Sequence, residues 1–128
     1  MSDGVADAHA LLRQAKLRAE QQRTDAQRLS DRIARLRVTG SNSDGSVTIT
    51  VDSNGGLCGL KLSDAAMKHT AEELCDEIML GARATQRAIA SQAEEAAKQV
   101  YGSDSKTAAM VRDQYERLWE SDHDDEKR

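Results

Sequence analysis

The hydrophobic period changes once in this chain, over residues 38–62, and that change limits the folds open to it. In Ser46-Val47-Thr48-Ile49-Thr50-Val51-Asp52, Val47, Ile49 and Val51 point one way and the threonines the other. This alternation marks a half-buried strand. Cys58, Leu60 and Leu62 repeat it, and Val38 sits in a shorter run before Gly40. The breaks are Gly40-Ser41-Asn42-Ser43-Asp44-Gly45 and Ser53-Asn54-Gly55-Gly56, built from residues that cap turns or tolerate positive φ. Asn54-Gly55 is the stronger hairpin signal. Three short antiparallel strands follow, and they need a helix against their apolar face.

Long helices flank this stretch. Over residues 5–36 the apolar positions are Val5, Ala8, Leu12, Ala15, Ala19, Ala26, Leu29, Ile33 and Leu36, with Gln22 filling the gap. Spacings of three and four alternate without a slip, as in a heptad seam. A frayed leader is predicted over residues 1–7. Thr70-Ala71-Glu72-Glu73 reads as a capping box that starts a second helix. Its apolar line is Leu74, Ile78, Ala82, Thr85, Ile89, Ala93, Ala96 and Val100, and Gly102 stops it. Leu74 to Ile78 are predicted to cover Val47, Ile49, Val51, Leu60 and Leu62. A helix of about 30 residues is ~45 Å long and a six-residue strand only ~20 Å. Both helices therefore overshoot the sheet, and their Ala-rich free halves are predicted to run side by side as one protruding arm. A third helix is predicted over 106–120, with Val111, Tyr115 and Leu118 as its stripe and Trp119 as a packing residue. Residues 122–128 are predicted to be a disordered charged tail. The fold class is α+β: long helix, three-stranded antiparallel meander, long helix, extra C-terminal helix. The corresponding division is 1–102, 103–121 and 122–128.

With 128 residues, no Phe, two Tyr and one Trp, the chain suits one domain with thin helix–helix seams. No apolar run approaches the ~20 residues that span a bilayer, and no signal peptide is visible. Cys58 and Cys75 do not make a disulfide framework. A reduced cytoplasmic setting is expected, with a Cys58–Cys75 bridge left open.

Charge is distributed unevenly. Residues 10–37 hold Arg13, Lys16, Arg18, Arg23, Arg28, Arg32, Arg35 and Arg37 against Glu20, Asp25 and Asp31, a local +5 in a chain of net charge −4. Lys16, Arg23 and Arg37 fall along one edge of the seam, Arg18 and Arg32 along the other. Residues 116–128 carry six acids and three bases. Such a split points to a polyanion-facing segment on an otherwise acidic protein.

Ingredients for catalysis are thin. His9, His69 and His123 are far apart, and His69 lies six residues from Cys75 across a helix start, which suits zinc poorly. Asp76-Glu77 and Glu94-Glu95 point to different helix faces. Asn54-Gly55-Gly56 lacks the lysine and following helix of a phosphate loop. No enzyme activity, cofactor, metal, small-molecule substrate or membrane partner is expected.

Arg37-Val38-Thr39-Gly40, Gly45-Ser46-Val47-Thr48-Ile49-Thr50-Val51-Asp52 and Leu60-Lys61-Leu62-Ser63, with a long helix on either side, resemble the YbaB/EbfC family of bacterial nucleoid-associated proteins over about residues 12–101. Cys58 and Gly59 stand where many members of that family carry basic residues. The resemblance implies a homodimer joined through its base, with helical arms spread like tweezers. It further implies binding to double-stranded DNA with little sequence preference, in the nucleoid. The candidate phosphate contacts are Arg13, Lys16, Arg18, Arg23, Arg28 and Arg32, with Arg83, Arg87 and Lys98 as helpers. The alternative is a protein-binding adaptor or secretion-associated accessory protein with no DNA role. A helix-one coiled coil between subunits competes with an arm formed inside one subunit, and the heptads do not choose between them.

Overall fold

The computed structural model describes the backbone of residues 2–126 and the side chains of residues 4–118. The elements follow the predicted order: α1 (Ser2–Ala34), β1 (Arg37–Ser41), β2 (Val47–Asp52), β3 (Leu57–Leu62), a 3₁₀ turn (Asp64–Lys68), α2 (Ala71–Tyr101) and α3 (Lys106–Glu126). The sheet runs β1-β2-β3 with both pairs antiparallel.

Local chemistry explains the turns. Asp52 Oδ1 accepts from the amides of Asn54 and Gly56, both at 3.0 Å, and Gly55 takes a φ of 79° to close the hairpin. In the first turn Asn42 Oδ1 accepts from the Val47 amide at 3.0 Å. Its Nδ2 donates to Glu77 on α2 at 3.1 Å, which anchors the loop to that helix. The capping box is present: the Glu73 amide donates to Thr70 Oγ1 at 3.1 Å, and the Thr70 amide donates to Glu73 Oε1 at 2.9 Å. The Thr70 amide first, and the Thr70 hydroxyl second, hold the Glu73 carboxyl below its ordinary pKa.

Val47, Ile49 and Val51 are fully buried beneath α2, joined by Ile89, Ala90, Ala93 and Tyr115, with Leu74, Ile78 and Ala82 packed at the margin. The helix lies close to the sheet because two contact points lack a side chain. A Cβ on Gly40 would lie 2.7 Å from Thr85 Oγ1, and one on Gly81 would lie 2.8 Å from Ile49 Cδ1.

Four expectations require correction. Leu60 and Leu62 pair with Ile49 and Val47 and share their face, yet they are 43% and 40% exposed. The reason is that α2 lies over β2 and β1, leaving β3 outside its footprint. The leader is helical from Ser2, continuing α1 through Gly4. Similarly α3 passes 120 and continues to Glu126, no Gly or Pro interrupting it, so the tail predicted to be disordered is helical to that point. Residues 127 and 128, and the Trp119 side chain, lie outside the described residues. The predicted pairing of two helices along the arm does not form. Only the end of α1 meets α2: Leu29 packs with Ala96, Ala97 and Ala108, and Ile33 sits beside them. The other flank of the α2 C-terminal half is taken by α3, through Ala108, Val111 and Tyr115. The arm is therefore α1 alone.

Candidate nucleic-acid interface

Leu29 clusters with Ala96 and Ala97, and Leu36 lines a cleft that reaches back to Gln92, which sets α1 and α2 antiparallel. Since α2 ends at Tyr101, it runs out level with about residue 25 of α1. Over residues 4–24 every side chain is exposed except Ala10, which is half-buried. This free segment projects roughly 30 Å at 1.5 Å per residue.

Arg13, Lys16, Arg18, Arg23, Arg28 and Arg32 are all exposed on α1. Among the described residues, no carboxylate forms an ion pair with any of them. Two of the acids on α1 are engaged elsewhere: Asp25 accepts from Gln21 Nε2 at 3.0 Å and Asp31 from Gln27 Nε2 at 2.9 Å. Cations in the body behave differently. Lys98 lies 3.5 Å from Glu94, and Arg112 bridges Glu94 at 3.1 Å and Glu116 at 3.2 Å. The Glu116 bond, then the charge of Glu94, raises the Arg112 pKa above its ordinary value.

At 100° per residue, Arg13 and Arg28 project from roughly the opposite side of α1 to the seam, whereas Lys16, Arg18 and Arg23 border it. At the arm's root, Arg32 and Arg35 face Gln92, Glu95 and Gln99 of α2 across an open cleft. Arg35 is not among the predicted phosphate contacts, and the i,i+3 spacing from Arg32 is the signal that groups the two. Arg83 is half-buried and Arg87 exposed. Both lie on the far side of the α1–α2 contact from the arm, so one protomer does not bring these two helpers to the other six.

Cys58 and Cys75 are exposed, unbridged thiols. Among the described residues, no group of three His, Cys, Asp or Glu could hold a metal ion, and no helix is long and apolar enough to cross a membrane. The arrangement offers a projecting rod of unpaired cations. Residues 8–104 match the YbaB/EbfC DNA-binding family, so the match takes in most of α1, the whole sheet and all of α2, and stops before α3. No curated protein matches the chain.

Proposed function

The chain belongs to the YbaB/EbfC DNA-binding family, and from that premise we propose that it binds double-stranded DNA through the phosphates, as a homodimer, with α1 as the contacting arm. The observation that carries this reading is the row of unpaired cations on α1, with two of the neighbouring carboxylates, Asp25 and Asp31, occupied by glutamines. Cations already paired must break a contact to meet a phosphate; these need not. Phosphate contact gives affinity and steep salt dependence but no base code. The arm lacks a recognition-helix arrangement, so binding has little sequence preference and suits a role on the nucleoid.

Support for the dimer comes from β3. It is an edge strand carrying Leu57, Leu60 and Leu62, all exposed, with exposed Met67 after it and Met79 and Leu80 on α2. An uncovered apolar edge strand is a template for pairing. Joining two copies there buries it and leaves both arms projecting. A dimer would carry a net charge of about −8, so holding the basic arms away from the acidic body is what permits attraction to DNA. The test compares two duplexes of unrelated sequence at equal length. Affinities within about threefold of each other fit phosphate-only contact. A difference of a hundredfold or more would sink it, since that discrimination requires reading of bases.

A further inference from the structure

We propose that the apolar stripe of the α1 arm is a docking track for an acidic amphipathic helix of a second protein. The stripe runs through Val5, Ala8, Leu12, Ala15 and Ala19 and continues in unbroken spacing to Leu29 and Ile33. At Leu29 and Ile33 it is covered by α2 and α3; beyond them none of the described residues covers it, and Val5 and Leu12 are 59% and 66% exposed. Contact with phosphates requires only cations, so the DNA reading leaves this stripe without a use. The proposal does not rest on that reading.

The borders of the stripe select its occupant. Lys16 and Arg23 line one side and Arg18 the other. A helix docked in heptad register sets its own flanking residues against these. A second α1 is a poor fit: a parallel pair sets Arg18 against the partner copy's Arg23 position, and an antiparallel pair sets each basic row against itself. A helix with branched apolar residues on its seam and Glu or Asp on its flanks meets both the stripe and its borders. Alanines at 8, 15 and 19 leave holes into which Leu-sized side chains insert at close approach. Arg13 and Arg28, projecting from the other side, stay open to phosphate, so one arm can hold both ligands.

The probe is a labelled synthetic helix of about three heptads, with Leu at seam positions and Glu at flanking positions. Its control carries Lys at the flanks. Both are titrated with the full chain at near-physiological salt, alongside a Leu12→Gln/Ala19→Gln double variant. These two positions are exposed and Gln is a good helix former, so the fold is retained, as circular dichroism would verify. The acidic helix is expected to bind at least roughly tenfold more tightly than the basic one, and to lose roughly tenfold on the double variant. Duplex affinity should change by less than about twofold, because neither position is a cation. Failure of the acidic helix to bind, equal binding of the basic one, or undiminished binding to the variant would overturn the proposal. So would a loss of duplex affinity in the variant, which would assign the stripe to nucleic acid. Assemblies larger than a dimer that the variant abolishes would make a second copy the occupant, and would also overturn it. Duplex and peptide are read separately, so failure here is distinct from failure of DNA binding.

Discussion

Gln21 donates to Asp25 across one turn of α1 at 3.0 Å, occupying a carboxylate that could otherwise have paired with an arginine. Gln27 does the same for Asp31. These two acids are thereby held by neutral partners while the arm retains their negative charge. Replacing Asp25 by Asn keeps a partner for Gln21 and removes one repulsive charge. Duplex affinity should rise about two- to threefold at low salt and less at physiological salt, as an exposed charge does. Equal affinity in both proteins at low salt would show that this part of the arm lies away from the phosphates.

The uncovered face of β3 makes a prediction about assembly. Leu60 and Leu62 are exposed, so Leu60→Glu/Leu62→Glu should leave each protomer folded while placing four carboxylates in the proposed base interface. Sedimentation should report a dimer for the native chain and a monomer for the variant. A native monomer, or a variant that remains dimeric, would move the interface elsewhere.

Tyr115 ties α3 to the sheet. Its hydroxyl donates to the carbonyl of Ser53 at the β2–β3 turn, and its ring lies in the main core. Tyr115→Phe leaves that carbonyl without its partner and should lower unfolding free energy by about 1 kcal/mol. Burial, with a smaller contribution from the charge of Asp52, raises the hydroxyl pKa above its ordinary value of 10.0. The folded state thus favours the neutral phenol. Its stabilisation is full below the unfolded value and is lost as pH rises through the folded one. Native stability should therefore decline above about pH 10 more steeply than that of Tyr115→Phe. Parallel alkaline denaturation curves would count against the assigned burial.

Close approach of α2 to β1 is checked at Gly40. An alanine there places its methyl 2.7 Å from Thr85 Oγ1, which is itself committed to the Gly81 carbonyl at 2.7 Å. Gly40→Ala should destabilise the protein by about 1–3 kcal/mol, the usual cost of overpacking. Thr85→Ala in the same chain should recover part of that loss, a coupling that a double-mutant cycle in urea can measure. Strictly additive effects would show that the two sites do not touch.

Strand period, turn residues, the capping box and the Gly102 stop were all legible in the sequence, because each is enforced by interactions within a few residues. Coverage was not. Alternation identifies Leu60 and Leu62 as facing the same way as Val47 and Ile49, but it cannot tell which strands a helix of limited width lies across. The heptad seam of α1 was also legible, yet its partner was not: Leu29 and Ile33 meet α2, while Leu12 and Ala15 stay exposed among the described residues. Antiparallel register and the arrival of α3 decide that, and both are tertiary facts. The cations of the arm were readable as a cluster. Their unpaired state was not, since it depends on side-chain conformations, among them those that pair Gln21 with Asp25 and Gln27 with Asp31.

Salt dependence of duplex binding tests the central claim most directly. The native chain and an Arg13→Gln/Lys16→Gln/Arg23→Gln variant would be titrated by fluorescence anisotropy against a labelled duplex of about 30 base pairs, roughly 100 Å long. All three positions are exposed, so both proteins should fold and assemble alike. If α1 is the contacting arm, native affinity falls steeply with salt, and the variant binds more weakly on a flatter slope. The slope should flatten by about 0.9 for each phosphate no longer neutralised, or roughly 3 for one engaged arm. A folded variant with native affinity and native slope would contradict the account, and would place any DNA contact off the arm.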